Sequence, residues 1–347
     1  MNCGEFRETY RSDMAIFETT FQRGLLALFL VALLFAPAFL PFFWMDVLNR
    51  ILIAVIAATG LNILTGFTGQ ISLGNAAFLA VGAYSTAFFA GRLELPFFLV
   101  IPVAGLMSAL VGMVFGFPSL RLKGLYLAVA TLAAHFVVEF TASHWDGVTG
   151  GVNGISVPPP KLGGLELAGD RQIFYLMLPI AVVLLFFAKN LFRTKTGKAF
   201  VAIRDQDISA EVMGVNVFKY KLLSFGVSSF YVGVAGSLLA YQAHIISPEN
   251  FPITVAIDQL GMVIIGGLGS ILGSIFGAVF ITLLPELLRV LTGALGESFP
   301  KLVDLFAPLK QGVFGLAIVL FLLFEPDGMA ARWHHIRTYW KLYPFSY

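Results

Sequence analysis

Cysteine and charge are both scarce in this chain. Its one cysteine, Cys3, lies in a polar N-terminal stretch, which excludes a disulfide within the chain. Charged residues make up only 12% of the 347 residues, whereas a soluble domain carries about 25%. The formal net charge of +2 is too small to indicate nucleic acid as a partner. These absences exclude a soluble domain, a disulfide-stabilised scaffold and a nucleic-acid-binding protein.

The residue patterns of catalytic, metal and nucleotide sites are also absent. The sequence contains no HExxH motif, no paired cysteines and no His/Asp/Glu spacing typical of a metal site. The nearest approach to a phosphate-binding loop is TKTGKAF at 194–200. Phe192 stands where that loop needs its first glycine, and Ala199 stands where Ser or Thr must reach Mg²⁺. We therefore expect no enzyme active site, no ATPase site and no cofactor in this chain.

Long apolar runs dominate what is present. Hydrophobic residues make up 58% of the chain, and a membrane-spanning helix needs about 20 mostly apolar residues. The sequence thus predicts an all-α, polytopic helical bundle in a lipid bilayer, with about ten spans. The candidate spans are 24–44, 47–66, 74–93, 96–117, 124–142, 173–190, 222–242, 255–268, 272–290 and 311–324.

The lysines and arginines are distributed unequally between the segments that join these spans. With both termini inside, most of the 22 lie on the inner side, and cytoplasmic segments carry such an excess. This favours a cytoplasmic tail over 1–23, a transmembrane domain over 24–324 and a second cytoplasmic tail over 325–347. Within the domain, 143–172 is then an outer loop, and 191–221 is a cytoplasmic loop.

A polar stretch, TGFTGQISLGN at 65–75, interrupts two apolar runs. Non-helical backbone at membrane depth is tolerated only where it is buried in protein or lines a water-filled cavity. One interpretation is therefore a broken helix beside a transport path. The other is an ordinary short turn in which Ser72 and Asn75 cap the next helix. The pathway candidates in this stretch are Gly69, Gln70, Ser72, Gly74 and Asn75.

Small residues recur at helical spacing near the ninth candidate span. Gly269, Gly273 and Gly277 are four residues apart, which permits close approach of two helices. The partner helix could belong to this chain or to a second subunit. The stretch Gly69–Gly74 (GQISLG) also resembles Gly269–Gly273 (GSILG), which indicates a weak internal repeat.

Two ionisable residues lie four apart in the candidate span 124–142. An ionisable group at membrane depth is costly and indicates a functional site by default. His135 is therefore a pathway candidate, although a hydrogen bond between helices would also explain it. Glu139 lies near the outer end, where a plain interface position fits equally well. Asp258 and Gln259 open the eighth span, and we interpret them as helix-start residues.

The segment 189–221 is the most charged part of the chain. It holds seven of the 22 lysines and arginines between two apolar runs. We expect one amphipathic helix over 198–214, with Gly214 as its C-terminal cap and with Lys219 and Lys221 reaching the lipid boundary. The apolar stripe of this helix would consist of Phe200, Ile203, Ile208 and Val212. Such a segment is either a docking point for a motor protein or a solvated interfacial helix.

Several stretches, taken in order, resemble one family, the LivM-type permease subunits of branched-chain amino-acid ABC importers. The resemblance covers most of the chain. The matching stretches are LNILTGFTGQISLGNAAFLAVGAY (61–84), LRLKGLYLAVATLA (120–133), TGGVNGI (149–155), GKAFVAIRDQDISAEVMGVNVFKYKLLSFGVSSFYVGVAGSLLA (197–240), ISPENF (246–251) and VIIGGLGSILGSIFGAVFITLLPELLR (263–289).

The resemblance implies a bacterial inner-membrane permease with four kinds of contact. These would be a second, LivH-like permease subunit, two cytoplasmic ATPase subunits that use ATP and Mg²⁺, a periplasmic substrate-binding protein and the lipid bilayer. It implies that 210–214 is an EAA-like loop, which places a short coupling helix in a cleft of the ATPase. The coupling candidates are Arg204, Asp205, Ala210, Glu211 and Gly214. The outer loop 143–172 would then face the periplasm and the binding protein.

Three alternatives stay open at this point. A urea or short-chain amide permease belongs to the same family, and the sequence offers no clear key to distinguish it. An ion-coupled secondary transporter or a channel would need deep carboxylates or rings of charge, for which only His135 and Glu139 are available. A membrane-embedded enzyme would need a cluster of nucleophile, base or metal ligands.

Overall fold

The computed structural model describes residues 20–119, 122, 124–162, 165–296, 306–325 and 327–342. These residues are mostly helical. The α-helices are α1 Thr20–Phe39, α2 Phe42–Thr68, α3 Asn75–Gly91, α4 Phe97–Ser119, α5 Leu125–His144, α6 Asp146–Thr149, α7 Asp170–Leu191, α8 Lys195–Asp205, α9 Asp207–Val212, α10 Val217–Ala243, α11 Ile253–Gly266, α12 Ile271–Gly296, α13 Phe306–Phe324 and α14 Gly328–Leu342. The strands are β1 Ile155–Ser156, β2 Lys161–Leu162, β3 Leu165–Glu166 and β4 Ile245–Ile246, and the 3₁₀ turns are Gly151–Asn153 and Pro248–Asn250.

Each predicted span overlaps one of these helices. In the described part of the chain, six helices are long and apolar enough to cross a membrane, namely Phe42–Thr68, Phe97–Pro118, Leu125–His144, Asp170–Leu191, Val217–Ala243 and Ile271–Val290. The predicted helical, multi-pass character is confirmed, while the total of ten spans and the side of each terminus stay predictions. Of the predicted tail 1–23, only 20–23 lies within the described residues.

Helix α10 forms the centre of the bundle, packed against α2, α3 and α4. Its small residues bring backbones together. A Cβ atom on Gly236 would lie 2.0 Å from the carbonyl oxygen of Leu79 in α3, and one on Gly82 would lie 2.1 Å from the carbonyl oxygen of Gly233. Tyr231, buried in the same helix, donates from its hydroxyl to the Leu184 carbonyl oxygen at 2.8 Å. Close backbone contact of this kind is how helices associate in lipid.

The turns between helices gather at two ends of the bundle. At the charged end, defined by residues 192–221, the last turn of α8 contacts the end of α2, and Gly328 lies against Gly267. At the loop end, defined by residues 145–172 and 244–252, β1 pairs with β4 so that Ile155 faces Ile246. Gln242 donates to Asp46 at this end, at 2.7 Å. Helix α2 therefore runs from the loop end to the charged end, and α10 runs back.

Candidate functional site

The charged segment folds as two helices rather than the predicted single one over 198–214. Gln206 breaks them apart with extended backbone angles, φ −161° and ψ 102°. This break divides the predicted apolar stripe. Phe200 and Ile203 are buried, whereas Ile208 and Val212 are 65% and 83% exposed. The prediction of one stripe was wrong because the extended residue rotates α9 away from the face that α8 buries.

Helix α9 ends in a compact glycine motif. Gly214 has a φ of +87° and donates to the Glu211 carbonyl oxygen at 2.9 Å, while Val215 donates to that of Ala210 at 3.0 Å. These two bonds satisfy carbonyl groups at the helix end, and the left-handed φ favours glycine. Asn216 then caps α10 by accepting from the Lys219 backbone at 2.9 Å. The result is a short helix held rigidly between two turns.

The outward face of α9 is apolar. Met213 is 83% exposed, as is Val212, and Ile208 lies beside them. Glu211 is also exposed, whereas Ala210 is buried. An apolar tip on a charged segment has the composition of the core of a protein–protein contact. Of the coupling candidates, Ala210, Glu211 and Gly214 therefore belong to one rigid element with an unburied apolar surface.

Arg204 and Asp205, the other two coupling candidates, close the end of α8. Arg204 donates from Nη1 to the Gly66 carbonyl oxygen at 3.1 Å, and its Nε and Nη2 donate to Asp205 Oδ1 at 3.1 and 3.0 Å. The Arg204 side chain thus contacts this chain's own helix α2. Asp205 fixes the orientation of the Arg204 guanidinium group, because two guanidinium nitrogens donate to the same carboxylate oxygen.

A second polar connection runs from α9 to the stretch 69–74. Asp207, at the start of α9, pairs with Lys221 of α10 at 3.4 Å. Lys221 is buried, so the expectation that it reaches the lipid boundary was wrong. One turn further along, Ser224 accepts from the Gln70 side-chain amide at 2.8 Å. The charged segment therefore contacts the polar stretch both through Arg204 and through α10.

The stretch 69–74 is a break between two helices that is buried at Gln70, Ser72 and Gly74 and exposed at Gly69 and Ile71. Gly69 has a φ of +73° and ends α2. Gln70 and Ser72 are buried, and Ser72 Oγ accepts from the backbone of Gly74, which precedes α3. The backbone N–H of Leu73 donates to Thr131 Oγ1 at 2.9 Å, well inside α5. Buried irregular backbone of this kind fits the broken-helix interpretation.

Asn75 does not cap α3, because Gly74 occupies that position without a side-chain bond. The Asn75 side chain instead donates to Gln259, and both residues are buried. Gln259 lies in the middle of α11 (Ile253–Gly266), so its interpretation as a helix-start residue was wrong. This amide pair joins the broken helix to α11 inside the bundle.

His135 lies one turn beyond Thr131 on α5 and is almost fully buried. Its Nε2 is 3.5 Å from Glu139 Oε2. Together with Tyr84 and Phe251, these side chains line a cavity of about 10 Å³. A cavity of that size holds roughly one water molecule. The pathway candidates of the polar stretch and His135 therefore lie along neighbouring parts of the α3–α5 contact, although the cavity is too small for an amino acid.

The three glycines spaced four residues apart, Gly269, Gly273 and Gly277, have two different surroundings. A Cβ atom added to Gly273 would lie 2.7 Å from the Gly266 carbonyl oxygen. A Cβ atom added to Gly277 would lie 1.8 Å from the Met262 carbonyl oxygen. These two glycines therefore pack α12 against α11 of the same chain. Gly269 instead lies in the connecting turn, with a φ of +75°. Within the described residues, the contacts of Gly273 and Gly277 are made inside this chain, so these two glycines do not support packing against a second subunit.

The sequence interpretation missed Asn62. Asn62 Nδ2 donates to the Ser270 carbonyl oxygen and to Ser274 Oγ, each at 2.8 Å, while its Oδ1 accepts from the Gly269 backbone at 2.9 Å. The available signal was an amide inside an apolar run, which indicates an interhelical partner. Asn62 thus joins α2 to the α11–α12 turn.

Apolar helices long enough to cross a membrane, a break between two of them and a charged segment with an exposed helix are features of a multi-pass membrane transport protein. The chain belongs to the family described as branched-chain amino acid transport system / permease component, which matches residues 43–322. It is a multi-pass protein of the bacterial inner membrane.

Individual relatives agree with this assignment. The chain is 36% identical to the high-affinity branched-chain amino acid transport system permease protein LivM of Escherichia coli over 330 residues, which covers 87% of this chain and 74% of the relative. The same values hold for LivM of Salmonella typhimurium. The ribose import permease protein RbsC of Haemophilus influenzae is 26% identical, covering 71% of this chain and 76% of the relative. No solved structure matches the chain.

Proposed function

We propose that this chain is the permease subunit of an ABC importer that moves branched-chain, hydrophobic amino acids into the cytoplasm. The observation that carries this proposal is the 36% identity to LivM across 87% of the chain. In this proposal both termini are cytoplasmic and the ten helices that match the predicted spans all cross the membrane. The charged end then faces the cytoplasm and the loop end faces the periplasm.

ATP hydrolysis takes place in two partner subunits, and helix α9 carries its effect into this chain. The exposed apolar residues Ile208, Val212 and Met213 support this role because they would be covered by docking in an ATPase cleft. When the ATPase dimer closes, α9 moves and displaces α2 and α10, to which the charged segment is bonded. Access to the path then switches from the periplasm to the cytoplasm.

The path itself runs beside the break at 69–74 and the α3–α5 contact. Support comes from the buried polar groups there, since unpaired polar atoms inside a membrane bundle typically mark a water-filled or solute-filled route. Asn75 Oδ1, Tyr84 Oη and both ring nitrogens of His135 are buried without a hydrogen bond. In this proposal substrate selection rests with the periplasmic binding protein.

A second permease subunit completes the translocation unit. A LivH permease of Methanocaldococcus jannaschii is itself 26% identical over 62% of this chain, which supports a pair of related permeases. The binding protein docks at the loop end, where Trp145, Val152 and Ile245 present exposed apolar side chains. The chain needs no cofactor of its own.

Competition for uptake tests the proposed substrate. The complete complex is placed in proteoliposomes with loaded binding protein, and ATP-dependent uptake of labelled leucine is measured. Excess isoleucine and valine should reduce the signal, whereas urea and acetamide should not. A complex carrying an ATPase variant that cannot hydrolyse ATP serves as the control. Uptake of urea or acetamide in place of leucine would overturn the proposal in favour of an amide permease.

A further inference from the structure

Arg204 occupies an unusual place for a residue of a docking segment. It belongs to the last turn of α8, directly before the break at Gln206 that leads into α9. Its guanidinium donates inward, to the carbonyl oxygen of Gly66 near the end of α2. Any displacement of α9 that turns the end of α8 must therefore move the guanidinium against α2.

Two glycine-containing turns lie against Arg204. A Cβ atom on Gly69 would lie 3.1 Å from Arg204 Cγ, and a Cβ atom on Gly269 would lie 2.9 Å from Arg204 Nη1. Both glycines are left-handed, with φ values of +73° and +75°. They are also the first residues of the two stretches that form the weak internal repeat, GQISLG and GSILG. The arginine thus lies where two equivalent turns meet.

The end of α2 is bonded to the second turn beneath the arginine. Asn62, one turn before Gly66, accepts from the Gly269 backbone and donates to the Ser270 carbonyl oxygen. A Cβ atom on Gly66 would lie 2.3 Å from the Gly269 nitrogen, so the two backbones are in contact. A displacement of the second turn is therefore shared with the end of α2, which leads directly into the first turn.

Each turn leads into the proposed path. Leu73 of the first turn donates to Thr131 on α5, and Asn75 directly after it donates to Gln259 on α11. The second turn begins α12, which packs on α11 through Gly273 and Gly277. Contacts thus continue from Arg204 through these turns to α5, α11 and α12.

We propose that Arg204 is the positioning residue that transmits movement of α9 to both glycine turns. The inference rests on the proposed function, because it requires that a partner moves α9. A guanidinium suits this role because its planar fork donates in fixed directions to Gly66 and Asp205 at once. A lysine ammonium is a single flexible point charge and cannot hold both.

The test compares Arg204→Gln and Arg204→Lys in the complete complex in proteoliposomes. The readout is the number of ATP molecules hydrolysed for each leucine imported. We expect this ratio to rise about fivefold or more in both variants, the lower range of usual coupling between sites. Simple destabilisation would lower hydrolysis and uptake together and leave the ratio unchanged. Lys198→Gln, which removes an exposed cation from the same helix, should keep the wild-type ratio.

A wild-type ratio in Arg204→Lys or Arg204→Gln would overturn the proposal. Failure of both variants to assemble with the ATPases would also overturn it, since it would show a purely structural role. A second readout does not depend on a transported substrate. Spin labels are attached to cysteines introduced at Lys195 and Ile71 in a Cys3→Ser background, and they report the distance between α8 and the first turn. ATP with vanadate should leave this distance unchanged in wild type and change it in Arg204→Gln. The same response in both proteins would contradict the proposal.

The two readouts separate this inference from the proposed function. If the wild-type complex imports no leucine, the proposed substrate is wrong, and the spin-label distance still tests Arg204. If leucine is imported but both Arg204 variants keep the normal ratio, the proposed function stands, and the positioning role fails.

Discussion

Asn62 makes three hydrogen bonds from within an apolar helix, two to the α11–α12 turn and one to Ser274 of α12. In lipid, the alternative to such bonds is an unpaired polar group, so the contact both joins the helices and fixes their relative position. Asn75 and Gln259 do the same between α3 and α11. At the residue scale, buried amides rather than charges hold the helices around the proposed path.

Replacement of Asn62 by alanine should reduce stability. It removes three hydrogen bonds, one of them to the buried Ser274 hydroxyl, and leaves the part-buried Gly269 N–H without its acceptor, which costs roughly 1–3 kcal/mol in the free energy of unfolding. Thermal unfolding in detergent, followed by tryptophan fluorescence, measures the loss. Asn153→Ala at an exposed position is the matched control and should melt like wild type. Equal melting temperatures for the two variants would show that Asn62 contributes no net stability.

Replacement of Gly277 by alanine should separate α11 from α12. The new Cβ would lie 1.8 Å from the Met262 carbonyl oxygen, and such overpacking costs about 1–3 kcal/mol. Gly315→Ala places the same atom where no heavy atom lies within 4 Å, so it should cause no loss. The midpoint of thermal unfolding distinguishes the two. A Gly277 variant as stable as the Gly315 variant would contradict the close contact.

At the scale of elements, α8 and α9 form one bent segment. The buried Phe200 and Ile203 fix α8 to the bundle, while the apolar tip of α9 stays exposed. Gln206 forms the bend between the two helices, and Gly214 follows the end of α9. A segment with one face packed on the bundle and one face exposed is suited to transmitting movement from a partner subunit to the membrane helices.

Gly214 should tolerate asparagine better than valine. An added Cβ would meet open space there, so the constraint is the φ of +87°, which asparagine adopts more readily than a β-branched residue. We expect Gly214→Val to raise the ATP hydrolysed per leucine imported, and Gly214→Asn to have a smaller effect. Glu211→Lys, which reverses an exposed charge beside it, should also uncouple. Unchanged uptake and hydrolysis in both Gly214→Val and Glu211→Lys would count against a coupling role for α9.

Helices were predictable from the sequence where the signal is local. An apolar run is recognised without knowledge of its neighbours, so every candidate span overlaps a helix. The boundaries were less accurate, because a helix continues beyond its apolar part: 222–242 became Val217–Ala243. The break at Gln206 was missed, since neither glycine nor proline marks it.

The contacts of the candidate site depend on distant partners and could not be predicted. Asn75 and Gln259 are 184 residues apart, and Asn62 and Gly269 are 207 apart. The sequence analysis singled out Asn75 and Gln259 but missed Asn62, and it could not say what any of the three contacts. The left-handed conformation of Gly69 and Gly269 was equally hidden, although the weak repeat pointed to both turns.

At the scale of the whole molecule, the chain is one part of an assembly. The proposed complex contains a second permease and two ATPases, and α9 is the proposed ATPase contact. Val212→Asp should therefore reduce copurification of the ATPases with this chain, because a carboxylate in an apolar contact is costly. Lys195→Asp, also at an exposed position of the charged segment, is the control. Equal recovery of ATPase with both variants would place the contact elsewhere.

The central claim is that partner ATPases, and not this chain alone, drive transport through the charged segment. Proteoliposomes holding the complete complex, or this chain alone, are compared for leucine uptake with ATP and with proton or sodium gradients. The account predicts uptake only by the complete complex and only with hydrolysable ATP. Gradient-driven uptake by this chain alone would contradict it.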